Sequence, residues 1–207
     1  MTQTHKTAAI GLGSMGYGIA QSMLRGGHHV WGSDINKDRM VQLVGEGGQS
    51  GDIPAETLDS VIVCVLNAAQ TEDVLFGEDG IAPKLRKGAA ILSCATVPPE
   101  FAKDMEARCQ SLGVHYLDAP ISGGSVKAAN GQLSIMAAGT PEVADEDHLP
   151  FLVEDVANRG QSGPNTGVVG DAGTSVVRGV EGNVEVDPNQ YAFSANVDVV
   201  KGGLRHG

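Results

Sequence analysis

Gly11-Leu12-Gly13-Ser14-Met15-Gly16 is a G-x-G-x-x-G run. It follows a short apolar segment over residues 7–11 that reads as a buried strand, and it opens a helix-like stretch over 15–26. Glycine is frequent in this chain, so the spacing alone says little; the placement says much more. In a strand–turn–helix unit the first glycine permits the tight turn and the second lets backbone approach a pyrophosphate. The third lets helix and strand pack closely. The phosphates then sit at the helix N-terminus, where N–H groups and the helix dipole favour negative charge. The simpler alternative is a plain glycine turn. Gly11, Leu12, Gly13, Ser14, Met15 and Gly16 are therefore the first candidate cofactor-binding residues.

The segments that follow alternate in type. His29-Val30-Trp31-Gly32-Ser33 reads as a second strand, and 37–46 as a second helix closed by Gly47-Gly48. Residues 54–59 suit a short helix or turn. Strands are expected at 60–66, 89–93, 114–118 and 133–138. Helices are expected at 70–76 and 98–112, the latter with Phe101, Met105 and Leu112 on one side. Strands alternating with helices predict a mostly parallel sheet covered on both faces. Right-handed crossovers make that a doubly wound α/β Rossmann sheet. Residues 1–158 are expected to form this NAD(P)-binding domain.

Asp34 ends the second strand, about 20 residues beyond the glycine loop, where an acid can accept both ribose hydroxyls of a dinucleotide. A carboxylate there repels a 2′-phosphate, which favours NAD over NADP. Lys37 and Arg39 lie just beyond and soften that preference. A helix N-cap ahead of 37–46 is the alternative role for Asp34, and the two roles are compatible.

Composition narrows the partners. The formal net charge of −11 argues against nucleic acid, whose phosphates need clustered Lys and Arg. It leaves room for a small anionic ligand held by backbone N–H groups. The three cysteines, Cys64, Cys94 and Cys109, show no metal-ligand spacing and read as reduced thiols of a cytoplasmic protein. Cys64, within the apolar run 61–66, is most simply a buried core residue. The six histidines form no ligand set, so no metal is expected. No apolar stretch is long enough to span a bilayer, and residues 1–6 do not read as a signal peptide.

Three further segments carry a resemblance. They are Asp118-Ala119-Pro120-Ile121-Ser122-Gly123-Gly124 with Ala128-Ala129-Asn130-Gly131-Gln132-Leu133, then Leu66-Asn67-Ala68-Ala69-Gln70, then Val74-Leu75-Phe76-Gly77-Glu78-Asp79-Gly80. Together with the glycine loop they resemble the β-hydroxyacid dehydrogenases, over residues 7 to 158. The second and third segments are most similar to the L-threonate dehydrogenase branch. The resemblance implies an NAD-dependent oxidation of a small hydroxy acid, such as a sugar acid, by hydride transfer to the nicotinamide. It implies that Leu66 and Asn67 line the adenosine-diphosphate side and that Thr96 sits beside the nicotinamide. Ser122, Gly123 and Gly124 would hold the substrate carboxylate. The chemistry is compatible: a glycine-rich turn offers unhindered N–H donors, and a Ser hydroxyl adds one more. A simple turn is the alternative, and Lys127 reads as a solvated surface charge. Relatives acting on imines or on 6-phosphogluconate share the loop, but the 118–124 segment suits them less well.

The character changes near residue 159. No Leu, Ile or Met occurs between Leu152 and Leu204, and no helical apolar period survives. Val176-Val177 and residues 197–200 are possible short strands in a tail of unclear order. The family resemblance implies a second, helical domain whose Lys takes the hydroxyl proton, and through which family members associate. Here Asp171-Ala172-Gly173-Thr174-Ser175-Val176-Val177-Arg178 is similar to the run that bears that Lys, with the spacing off by one and Arg178 in the cation's place. Arg stays protonated and is a poor general base. Lys201 has no motif around it. The catalytic base is therefore unassigned, and residues 159–207 are expected to be an atypical tail from a truncated or frame-shifted sequence, with a borrowed half from a partner chain as the alternative. A nucleotide-binding module without turnover is the competing function.

Overall fold

The computed structural model describes residues 4–139, so every expectation placed on residues 159–207 lies outside the described residues. The chain opens with strand β1 (Lys6–Ile10), helix α1 (Gly16–Arg25), strand β2 (His29–Ser33) and helix α2 (Lys37–Gly45). Strand β3 (Ser60–Val63), helix α3 (Ala68–Phe76), strand β4 (Ala90–Ser93), helix α4 (Pro99–Ser111) and strand β5 (His115–Asp118) follow. A small hairpin-like unit closes the described part: β6 (Ile121–Ser122), α5 (Gly124–Ala129) and β7 (Ser134–Ile135). Single 3-10 turns occur at Ala55–Thr57 and Ala82–Lys84.

The first five strands form one parallel sheet in the order β2-β1-β3-β4-β5. A parallel sheet needs cover on both faces, and every residue of β3 and β4 is buried accordingly. Because side chains alternate along a strand, two cores result. Ile62, Leu92 and Leu117 point to one face and pack with Ile19 and Met23 of α1, Leu43 of α2, and Leu133 and Ile135. Val61, Val63, Ile91 and Tyr116 point to the other and pack with Leu75 of α3 and Met105 and Cys109 of α4. Full burial of Ile19 or Met23 contributes about 1.5–3 kcal/mol each, so packing rather than propensity holds α1 on the sheet.

Three expectations are corrected. The apolar run 60–66 stays a strand only to Val63. Cys64 N–H still bonds the Ile10 carbonyl at 2.8 Å, and then the chain leaves the sheet to pass beneath the glycine loop. The segment 133–138 is not a further parallel strand. Only Ser134–Ile135 pairs, antiparallel with β6, and Ala138 bridges back to Asp118. The chain after β5 instead forms β6 and α5, and it turns back antiparallel through β7. Cys64 is half-buried at the carboxyl end of the central strand β3, packed against the core on the α1 face rather than fully buried within it.

Helix α5 has no apolar period and was not expected. It exists because α1 receives it. A Cβ added at Gly18 would lie 2.6 Å from Ala129 N and 2.8 Å from Ala128 Cβ, so backbone meets backbone there. The Arg25 guanidinium donates to the Ala129 carbonyl and holds the far end.

Candidate functional site

All five sheet strands point their carboxyl ends the same way. From β1 the chain runs outward to β2, then crosses back to β3 on the other side of β1. Such a reversal opens a crevice beyond the carboxyl ends, where doubly wound sheets bind ligands. The glycine loop follows β1, Asp34 follows β2, and Leu66 and Asn67 follow β3. Thr96 follows β4, and Ser122, Gly123 and Gly124 come soon after β5. Every candidate residue thus follows the carboxyl end of a sheet strand, on a loop or at the end of a short flanking element.

The glycine loop is built as its spacing requires. Gly11 has φ +90°, and a Cβ there would stand 2.3 Å from the Cys64 carbonyl oxygen. A Cβ at Gly16 would stand 1.9 Å from the Gly11 carbonyl oxygen. These two glycines therefore serve packing. Gly13 is different: it is exposed and nothing lies within 4 Å of its Cβ position. That open space is the room a pyrophosphate needs. No side chain caps the N-terminus of α1, so its N–H groups present a positive end to an anion. The residues present fit a dinucleotide's phosphates.

Asp34 is held in place by backbone. Its Oδ2 accepts Leu12 N–H at 2.5 Å and its Oδ1 accepts Asn36 N–H at 2.7 Å. The N-cap of α2 is Asn36, whose Oδ1 accepts Asp38 N–H at 3.0 Å. The N-cap alternative for Asp34 is therefore corrected: Asn36 has the extended backbone a cap needs, and Asp34 lies two residues too early. Arg39 lies with its guanidinium 5.3 Å from the centre of the Tyr17 ring, and the Tyr17 hydroxyl donates to Glu46 at 2.9 Å.

The loop after β3 is rigidly made. Asn67 caps α3, its Oδ1 accepting Gln70 N–H at 3.0 Å, while Gln70 Oε1 accepts Leu66 N–H at 2.9 Å. Leu66 is left largely exposed, and so is Ile35, beside Asp34. Exposed large aliphatics on the loops after β2 and β3 offer apolar walls on either side of the glycine loop. Ile35 escaped the sequence reading; its signal was an apolar residue in a polar run just past a strand end.

Thr96 is exposed after β4. Ser122 ends β6 in the open, and Gly123 and Gly124 follow with φ +140° and +79° before α5 begins. The segment is thus a strand end and a helix start rather than a simple turn. Lys127, on α5, is exposed, and its Cδ lies 3.0 Å from the position a Gly123 Cβ would take. Below this loop Asp118 Oδ1 is buried with no hydrogen-bond partner among the described residues, and burial pushes its carboxyl up to about 6. Among the described residues no group of three or more His, Cys, Asp or Glu could hold a metal ion, and no helix is long and apolar enough to cross a membrane. Arg178 and Lys201 lie outside the described residues.

Comparison with known proteins agrees with the fold. The family model described as the NAD binding domain of 6-phosphogluconate dehydrogenase matches residues 6–159. An L-threonate dehydrogenase of Escherichia coli O6:H1 is 42% identical over 147 residues, 69% of this chain and 48% of that protein. One from Cupriavidus necator is 42% identical over 136 residues, 64% of this chain and 46% of that protein. The crystal structure of a 3-hydroxyisobutyrate dehydrogenase from Salmonella typhimurium superposes with a TM-score of 0.69 at 36% identity, covering 75% of this chain and 54% of that one. The chain spans about half the length of the curated relatives it matches.

Proposed function

The chain belongs to the family of the NAD-binding domain of 6-phosphogluconate dehydrogenase, among its β-hydroxyacid dehydrogenases, and from that premise we propose that it binds NAD for the oxidation of a sugar acid such as L-threonate. The observation that carries the reading is the convergence of the glycine loop, Asp34, Leu66, Asn67, Thr96 and Ser122 to Gly124 beyond the carboxyl ends of the sheet strands. The roles follow from chemistry. The N-terminus of α1 and the open side of Gly13 receive the pyrophosphate. Asp34, already oriented by two N–H donors, accepts from the adenosine ribose and disfavours a 2′-phosphate, so NAD is preferred to NADP. Ile35 and Leu66 supply apolar surface for the adenine.

Thr96 stands at the nicotinamide end, and Ser122, Gly123 and Gly124 donate to the substrate carboxylate. When bound, NAD supplies the hydride acceptor. The alcohol proton needs a base near neutrality, and Lys127, exposed on α5, is not assigned that role. A cytoplasmic location accords with this cofactor and with the three free thiols.

A second reading is a nucleotide-binding module without its own turnover, since among the described residues no side chain is assigned to take the alcohol proton. Calorimetric titration with NAD, with L-threonate oxidation followed at the nicotinamide absorbance in the same sample, separates the two. Binding with turnover supports the dehydrogenase. Binding without turnover supports the module, and absence of binding rejects both. Asp34→Arg should shift preference toward NADP in either case.

A further inference from the structure

Cys64 and Cys94 were scattered residues in the sequence; the sheet brings them together. Val63 of β3 stands opposite Ser93 of β4, and Cys94 N–H bonds the Val63 carbonyl at 2.8 Å. Cys64 and Cys94 are the next step along that parallel register. Alternation places both on the α1 face, after Ile62 and Leu92, and both join the core on that side. Neighbouring strands lie ~4.8 Å apart, inside the ~4.4–6.8 Å that Cα atoms of a disulfide span. The two side chains thus face the same core from adjacent strands.

Their surroundings differ. Cys64 is half-buried, whereas Cys94 is 8% exposed. The Cys64 thiol is held below the ordinary thiol range, first by the hydrogen bond from Cys94 and then by Gly16 N–H, with burial opposing. Cys94 is raised by giving its proton to that bond and by burial. This is the division expected of an attacking and a resolving thiol. Cys109 is buried in the core on the opposite face of the sheet and cannot compete. The pair also touches the dinucleotide loop. Gly16, the last glycine of the motif, opens α1 with its Cβ position 3.0 Å from Cys64 Cβ, and Gly11 approaches the Cys64 carbonyl still more closely.

We propose that Cys64 and Cys94 are an oxidisable pair beneath the dinucleotide loop, closed to a disulfide by a hydroperoxide, and that closure weakens NAD binding. The Cys64 thiolate attacks the terminal peroxide oxygen. The O–O bond breaks, and the departing oxygen takes up a proton as water or an alcohol. Cys94 sulfur then attacks the sulfenic acid on Cys64; the S–O bond breaks and hydroxide leaves as water with the Cys94 proton. Two thiols are oxidised by two electrons and one peroxide is reduced. Forming the S–S bond draws Cys64 Sγ from Gly16 N–H toward β4. Cys64 and the glycine loop pack without room for a methyl, so the loop must move with it. The coupling to NAD rests on the proposed function; the disulfide itself does not.

The full chain is treated with hydrogen peroxide, quenched, blocked with N-ethylmaleimide in denaturant and digested for mass spectrometry. The expected product links the Cys64 and Cys94 peptides, lighter by two hydrogen atoms than the paired thiols, with Cys109 alkylated. In Cys94→Ala, a dimedone adduct on Cys64 should replace it. Calorimetry on the oxidised chain should show NAD affinity lower by roughly five- to tenfold, about one hydrogen bond's worth, restored by dithiothreitol. The Cys64→Ser/Cys94→Ser double variant should keep its affinity through peroxide. Recovery of both cysteines unlinked would overturn the pair. A linked peptide with unchanged affinity would overturn the coupling. Failure of the reduced chain to bind NAD would overturn the proposed function and the coupling together, with the linked peptide still deciding the pair.

Discussion

At the scale of single residues, the loop's glycines do different work, and substitution separates them. Gly11→Ala puts a methyl against the Cys64 carbonyl in a backbone region that L side chains avoid. It should cost at least ~2 kcal/mol in a denaturant titration. Gly13→Ala meets nothing in the protein, so its unfolding midpoint should stay within ~0.5 kcal/mol of the parent while NAD affinity falls, because the methyl occupies the pyrophosphate's approach. Equal losses of stability would show that Gly13 is also structural. Asp118 offers a pH test. Burial raises its folded pKa from 3.8 to about 6, so the folded state holds the proton more tightly than the unfolded chain. Stability is then undiminished below the unfolded value and declines as pH rises from ~4 to ~6. With one pKa unit worth about 1.36 kcal/mol and some solvent screening, Asp118→Asn should gain ~1–2 kcal/mol at pH 7. It should also flatten the slope between those pH values. An unchanged slope would mean that the buried carboxyl is paired by residues beyond 139.

Elements were legible where one physical signal dominated. Strands β1, β3 and β4 carry short apolar runs with β-branched or small residues, and a parallel sheet buried on both faces demands them. The strand–glycine turn–helix unit was legible for the same reason: it is local in sequence. Helix α5 was not legible, because its cause is distant. Gly124-Ser125-Val126-Lys127-Ala128-Ala129 has no apolar stripe, and Gly18, eight residues into the first unit beyond Ile10, makes its seat. Gly18→Ala should therefore act on α5 more than on α1. Intrinsic propensity favours Ala in a helix by about 1 kcal/mol, yet the new methyl overlaps Ala128 and Ala129. The net effect should be a loss of ~1–3 kcal/mol. Amide exchange should rise in residues 122–131 before it rises in 16–25. Stabilisation instead would show that α5 can step aside at little cost. The Cys64–Cys94 contact was invisible for a related reason: register across two strands is not a local property.

For the whole molecule, the two apolar faces of the sheet decide what can stand alone. α1, α2, α5 and the β6–β7 pair cover one face, and α3, α4 and the two 3-10 turns cover the other, all within residues 4–139. Each candidate cofactor contact, from Gly11 to Thr96, also lies inside that span. A chain of this length buries enough surface to fold by itself. A fragment of residues 1–139 should accordingly unfold cooperatively in urea and bind NAD within about threefold of the full chain, less than 1 kcal/mol apart. A fragment that binds dye like a molten globule, or that binds NAD tenfold more weakly, would place part of the core or of the cofactor site beyond residue 139. Full affinity with no L-threonate oxidation in fragment and full chain alike would assign the proton-accepting group to neither, and would make the nucleotide-binding module the better description of the chain.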